Sequence, residues 1–346
     1  MEKPFISVIV TAYNRKEFLM QAVSSALRQT LPRDFYEVIV VKNFEDEEID
    51  RQLGEWGVRS ILSEASRQGE YLAAALEEAK GEVLSFLDDD DMFSDKKLEA
   101  VRSAFQREDV VFVRNRHALI DARGRFIGEE AAHPAFETKG SDEGALRRLI
   151  AARMGFNSGS ISIRRSVLEA LGVWKFKKVN NAVDSFYLVA SLLYGGTLMY
   201  DPLPLTLFRI HGNQSFNRSS LDAYVRRRCE NANKYIHDYE LEMGLIGNSP
   251  YEVVVKPLLV RSKIASAVFC PSGNKPTIQE LTYLIKQRKN TGLKDREFLL
   301  LLGLMAASIL PPLRGLARRT EFELDKAIRR AEAQFAKAAD GSPAFP

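Results

Sequence analysis

The chain has 346 residues, 45% of them hydrophobic and 27% charged, which fits a packed globular protein and excludes gross disorder. A net charge of +3 is too small to argue for nucleic acid as a partner, and none is expected. The two cysteines, Cys229 and Cys270, exclude a disulfide-dense scaffold and a cysteine metal site, so reduced thiols and a cytoplasmic location are expected.

The opening MEKPFISVIVTAYN lacks the form of a signal peptide, because FISVIV is shorter than an h-region and no small-residue cleavage site follows it. Phe5 to Tyr13 is instead a short, β-branched run of the kind found in buried parallel strands. In the next stretch Phe18, Leu19, Ala22, Val23, Ala26 and Leu27 recur at helical spacing. Asn14, with Glu17 three residues later, predicts the N-cap and capping box of that helix. Tyr36 to Lys42 predicts a second buried strand and Val58 to Leu62 a third. Gly69 to Lys80 predicts a helix with Gly81 as its C-cap, and Glu82 to Leu87 the next strand.

This alternation implies an α/β fold with a mostly parallel sheet and right-handed crossovers. Ligands of such sheets bind beyond the carboxyl ends of the strands, where Tyr13-Asn14, Lys42-Asn43 and Asp88 to Asp91 all fall. From about residue 110 the pattern mixes strands, turns and helices. Asp184 to Gly196 predicts a helix, and LMYDPLPLTLFRIHGNQS a short strand pair around Pro202 and Pro204. The composition turns helical and basic near Leu221. One domain is therefore expected over residues 1–220 and a helical region over 221–346, ending in a frayed tail.

The run LSFLDDDDMFSD ends an apolar strand on four consecutive carboxylates, Asp88 to Asp91. Four like charges repel, so something positive is expected opposite them. A D-x-D pair such as Asp88 and Asp90 places two carboxylates on one side of an extended chain, where Mg²⁺ or Mn²⁺ could be shared with a substrate diphosphate. The bland alternative is a solvated acidic turn capping a helix that starts near Ser94.

Several segments in order carry a resemblance. SVIVTAYNRKEFLMQAVSSALRQT, AKGEVLSFLDDDDMFSDKKLEAV, NSGSISIRRSVLEALGVW, VDSFYLVASLLYGG and FRIHGNQS together make the chain resemble family 2 glycosyltransferases of the GT-A fold over roughly residues 5 to 217. The resemblance implies metal-dependent, inverting transfer of a sugar from a nucleoside-diphosphate donor to an acceptor hydroxyl. It implies donor contacts from Thr11, Tyr13, Asn14, Asn43, Arg67, Asp88 and Asp89, with Tyr13 against the base. It makes Asp90 the principal ligand of a divalent cation (Mn²⁺ or Mg²⁺), places His211 near the metal and Arg209 near the diphosphate, and assigns the base role to Asp184. A UDP-sugar is the first expectation, a GDP- or dTDP-sugar the alternatives, with a glycan or lipid-linked acceptor.

The chain also departs from the family pattern. Lys42 and Asn43 stand where two acids are usual, and Lys42 is a candidate phosphate contact. Ala74 and Ala75 replace an Arg-Asn pair, and Val183-Asp184 leaves one acid where two are usual. These departures keep open a catalytically silent nucleotide-sugar binder, and for Asp184 a plain helix N-cap. Trp174 reads first as core and second as an acceptor-facing aromatic, and Arg226 to Arg228 as a solvated helix face. The late stretch from Phe298 to Leu310 is too short to span a bilayer. It is either a buried helix or, with the basic residues after it, a peripheral membrane contact or partner surface over residues 297–335.

Overall fold

A computed structural model describes residues 3–140, 142–211, 220–287 and 295–338. Residues 212–219, which complete the FRIHGNQS motif, and the tail from 339 lie outside these. The chain divides into two compact units. One runs to Gly140 and resumes over Ala152–Arg209, and the other takes Ser141–Ala151 and Ile210–Pro343.

The first unit begins as β1 (Ile6–Ala12), α1 (Leu19–Leu27), β2 (Tyr36–Lys42), α2 (Glu47–Glu55), β3 (Arg59–Leu62), α3 (Gln68–Glu78) and β4 (Val83–Asp88). It continues through β5 (Met92–Phe93), α4 (Lys97–Phe105), β6 (Val110–Ile120), β7 (Phe126–Glu129) and β8 (Phe136–Thr138). The chain then passes through α5 (Glu143–Ala151), which belongs to the second unit. The first unit closes with β9 (Ile161–Arg164), α6 (Arg165–Leu171), α7 (Val173–Phe176), α8 (Val183–Tyr194) and β10 (Thr197–Arg209).

The sheet order is β3-β2-β1-β4-β9-β6-β10-β5, with β7 on β6 and β8 on β10. The first four strands are parallel, as the βαβ alternation requires. β6 and β10 are also parallel, but β5, β7, β8 and β9 all pair antiparallel, so the sheet is mixed. β1 and β2 are buried nearly throughout because helices cover both sheet faces. β1 lies between β2 and β4, so successive crossovers leave it in opposite directions. This is the switch point that opens a crevice at strand ends.

Several local expectations change. α1 starts at Leu19 with Phe18 at the N-cap position and no side-chain cap, so Asn14 caps nothing. The helix α3 ends at Glu78, and Gly81 is not its cap. The Gly81 amide donates to Ser7 Oγ at 2.8 Å, and a Cβ there would stand 2.4 Å from the Ser7 nitrogen. Gly81→Ala should therefore cost about 1–3 kcal/mol in chemical unfolding, as backbone overpacking does; an unchanged midpoint would show that the strand yields. The expected strand pair around Pro202 is one 13-residue strand, β10, with irregular register at Asp201–Pro204. Trp174 is not core: it is 60% exposed, with Lys178 Nζ 4.8 Å from its ring.

The second unit, besides α5, consists of α9 (Leu221–Ile246), α10 (Glu252–Phe269), α11 (Ile278–Lys286), α12 (Asp295–Ile309) and α13 (Arg314–Ala338). Val260, Ile264, Leu281, Leu284, Leu301 and Met305 form one of its cores, and Tyr224, Val268, Phe269 and Ala307 another. The late apolar stretch thus supplies core from one side of α12. Cys229 and Cys270 are joined in a disulfide, which corrects the expectation of reduced thiols: 41 residues apart, they are brought together by the packing of α9 on α10. Arg228 is likewise not merely solvated, because it pairs with Glu321 and lies over the Phe269 ring.

Candidate active site

The crevice beside β1 collects side chains from five segments. At the end of β1, Asn14 adopts a left-handed backbone (φ 54°), a conformation Asn tolerates better than most residues. Its amide N–H donates to Asn43 Oδ1 at 2.7 Å, and Asn43 Nδ2 donates back to Asn14 Oδ1 at 2.8 Å. This reciprocal pair ties the ends of β1 and β2. Tyr13 is half-exposed and meets the buried Tyr71 of α3 edge-on, with ring centroids 5.7 Å apart. Tyr71 is itself fixed by its hydroxyl, which donates to the Ser63 carbonyl at 3.1 Å.

The turn left by Asn14 carries Arg15 back over the acidic run. Its guanidinium donates to Asp90 Oδ2 at 2.5 Å and to both carboxylate oxygens of Asp89. Behind the run stands Arg209, fully buried. Its backbone N–H donates to Asp91 Oδ1 at 2.9 Å and its Nε to the Asp90 carbonyl at 2.8 Å. Its other nitrogens face the Asp121 and Ala122 carbonyls and Gln21. Two arginines are thus the positive charge expected opposite the aspartates. The acidic turn does not cap α4, which starts only at Lys97. Arg209, expected near the diphosphate, holds the turn from behind through these contacts.

Lys42, a candidate phosphate contact, has its buried amine on Asp50 at 3.0 Å and on the Phe44 carbonyl at 2.5 Å. Arg67 sits at the start of α3 and pairs with Glu70 at 3.3 Å. His211 falls in the second unit, so its metal role rests on the resemblance alone.

Arg15 does not balance the acids. Burial, then the charge of Asp90, pushes Asp88 up to about 7 against the pull of Arg15 and of a hydrogen bond from Thr11, its register partner on β1. Burial likewise pushes Asp89 up to about 7, opposed by Arg15, and Asp91 well above the usual range. Asp91 Oδ2 is buried with no hydrogen-bond partner. Among the described residues no group of three or more His, Cys, Asp or Glu is arranged to hold a metal by itself. An excess of hard oxygen ligands in a negative turn nevertheless fits a divalent cation that takes its remaining ligands from substrate and water.

Asp184 lies in the first turn of α8, one residue past the helix start, with Ala182 at the cap position. Its Oδ2 accepts the Asn157 N–H at 3.0 Å and its Oδ1 the Ser185 N–H at 2.9 Å. Asn157 is a second left-handed residue (φ 65°), a strained conformation that aims its N–H at the carboxylate. Part of the Asp184 side chain reaches solvent, yet burial raises its pKa to about 6 against those backbone donors and the charge of Arg153. One turn on, Tyr187 is buried and stacked on Phe86, ring centroids 4.2 Å apart. Its hydroxyl is pushed up by burial and then by Asp88 and Asp184 together. Asp88 in turn feels the charge of Asp184. The Tyr187–Phe86 stack thus sets α8 beside the strand that ends in the acidic run, although 93 residues of sequence lie between Asp90 and Asp184.

The sequence reading missed Arg15, Tyr71, Asn157 and Tyr187. An aromatic in an otherwise Ala-rich helix was a signal for Tyr71; nothing local marked Arg15.

Known proteins resemble this chain in sequence and in fold. The family described as Glycosyl transferase family 2 matches residues 7–172. An uncharacterized glycosyltransferase of Nostoc sp., alr2836, is 29% identical over 251 residues, covering 69% of this chain and 76% of that one. Glycosyltransferase AglE of Haloferax volcanii is 38% identical over 93 residues, 25% of this chain and 31% of its own. Among solved structures, S. aureus TarS 1-349 in complex with UDP-GlcNAc has a TM-score of 0.53 at 14% identity, covering 92% of this chain and 91% of that one. The mannosyltransferase PcManGT from Pyrobaculum calidifontis, in complex with GDP-Man and Mn²⁺, also has a TM-score of 0.53, at 16% identity over 89% and 87%. Residues 7–172, which include the acidic turn at the β1 switch point, thus form a family 2 glycosyltransferase domain, and the chain is a glycosyltransferase of the GT-A fold.

Proposed function

We propose that this crevice binds a nucleoside-diphosphate sugar and transfers its sugar, with inversion, to a hydroxyl of a glycan or lipid-linked acceptor. The observation that carries the reading is the stacking of Tyr187 in α8 on Phe86 in β4, which brings the candidate base Asp184, one turn earlier in α8, beside the strand that ends in the acidic turn. In this reading Tyr13, backed by Tyr71, stacks on the nucleotide base, and the Asn14–Asn43 pair offers hydrogen bonds to its edge. Thr11 and Asp88 lie toward the ribose, and Arg67 stands at the rim of α3.

Asp90, with Asp89 beside it, would hold Mn²⁺ or Mg²⁺. When bound, that cation supplies charge neutralisation for a departing diphosphate. Asp184 takes the proton of the acceptor hydroxyl, held in place by the Asn157 and Ser185 N–H groups. A single base opposite the leaving group inverts the anomeric centre. The complexes of TarS with UDP-GlcNAc and of PcManGT with GDP-Man support a nucleotide-sugar donor, and we rank UDP-sugars first. Calorimetric titration of UDP-, GDP- and dTDP-sugars with and without Mn²⁺ tests this. Binding of one nucleotide class only with metal is expected; a folded protein that binds none ends the reading.

A specific surface supports a lipid-linked acceptor. Among the described residues no helix is long and apolar enough to cross a membrane. At the α12–α13 corner, however, Ile309, Leu310, Leu313 and Leu316 are 58%, 52%, 38% and 68% exposed, beside exposed Pro311 and Pro312. From Ile309 to Thr320 the chain carries Arg314, Arg318 and Arg319 and no acid. Exposed apolar side chains within a basic, acid-free stretch suit the surface of an anionic bilayer. The protein should sediment with phosphatidylglycerol vesicles and not with phosphatidylcholine. Leu313→Ser with Leu316→Ser should weaken this about tenfold or more. Equal sedimentation of wild type and variant would remove the corner from the acceptor side.

A further inference from the structure

The acidic turn already has a cation. Arg15 presents its guanidinium fork to both oxygens of Asp89 and to Asp90 Oδ2, the oxygens that a divalent cation would need. Carboxylate partners outweigh burial in holding this guanidinium charged. Its side chain is 30% exposed, whereas those of Asp89 and Asp90 are 2% and 12% exposed, so the fork covers the acids from the open side. The neighbouring Lys16 is not a substitute, because its amine pairs with Asp46 at 2.8 Å. Arg209, the other cation at the turn, is locked behind it by carbonyls. Arg15 is therefore the cation placed to exchange partners. It stands on a turn set by the left-handed Asn14, outside both β1 and α1.

We propose that Arg15 is a stand-in cation of the donor site: it neutralises Asp89 and Asp90 in the free protein and hands them to a divalent cation when donor binds, its fork passing to the donor diphosphate. The inference rests on the donor-site reading above. Two cations cannot share the same carboxylate oxygens at contact distance without repulsion. The arriving diphosphate is the anion whose geometry a guanidinium matches with paired hydrogen bonds, so the displaced fork gains partners as it loses them. Metal alone then competes with Arg15, while metal with nucleoside diphosphate does not. The chain would bind the two cooperatively and bind free metal weakly.

The test measures Mn²⁺ binding by the electron paramagnetic resonance signal of the free ion, with and without UDP or GDP. It uses the full chain as wild type, Arg15→Gln, Arg15→Lys and Asp90→Asn, each with its thermal unfolding recorded. Arg15→Gln should bind Mn²⁺ alone about tenfold or more tighter than wild type, because the competing charge-assisted hydrogen bonds are gone. The same variant should lose most of the tightening that nucleoside diphosphate brings to wild type. Arg15→Lys, which keeps the charge without the fork, should fall between them and guards against a folding defect. If Asp90→Asn loses Mn²⁺ while Arg15→Gln gains none, the role of Arg15 is overturned and the donor site stands. If no protein of the four binds Mn²⁺ with or without nucleotide, both are overturned.

Discussion

Asp184→Asn is expected to slow sugar transfer by about 10²–10⁴-fold, the span that a positioned general base contributes, while donor affinity stays within about twofold. The variant keeps the size of the side chain and can still accept one of the two N–H bonds from Asn157 and Ser185. It cannot take a proton. The pH dependence gives a second readout of the same group. A base with a pKa of about 6 is ionised above that value, so the wild-type rate should rise with pH through about 6 and level off, and the residual rate of the variant should lack that limb. The sign for stability is opposite. The folded pKa lies above the ordinary 3.8, so the stability linked to Asp184 is full below about 4 and is lost as pH rises through about 6. Between pH 4 and 8 the variant should gain on wild type in unfolding free energy, by up to about 3 kcal/mol. A rate loss without the altered pH limb would reduce Asp184 to a structural residue.

Asp90→Asn should abolish the metal-dependent part of donor binding, by about 100-fold or more, since losing even a residue that only orients a metal ligand costs roughly 10–100-fold. Unfolding of the variant is the control that makes the loss interpretable. Asp90 helps to raise Asp88, Asp89 and Asp91, so removing its charge relieves repulsion inside the turn. Against this stands one lost hydrogen bond from Arg15; the other contacts of that guanidinium, to Asp89, remain. The metal-free variant should therefore melt no lower than wild type while its calorimetric trace with donor and Mn²⁺ goes flat. Unchanged donor binding would move the metal away from Asp90.

How much of this was legible in the residues differs from element to element. β1, β2 and β4 were, because strands covered on both faces are written as unbroken β-branched runs, and their alternation with helices dictates parallel crossovers. Asp88 to Asp91 at the end of such a run were placed at the crevice for the same reason. Asn14 was misread because an Asn ahead of an apolar helix has the local signature of a cap. Its true partner, Asn43, is 29 residues away, just past the end of another strand. Arg15 reaches Asp89 across 74 residues and Arg209 reaches Asp90 across 119, and neither contact leaves a periodic trace. Gly81 looked like a helix terminus, yet its role is the close passage of one backbone beside Ser7. By itself, then, the sequence determined the strand–helix order, the acidic turn at its end and the segments typical of its family. Only the tertiary structure decided which cation meets which carboxylate, that the helix of Asp184 packs beside their strand, and that Cys229 meets Cys270. Local periodicity reports which face of an element is buried; the pairing of charges is set by what packing brings to that face from elsewhere in the chain.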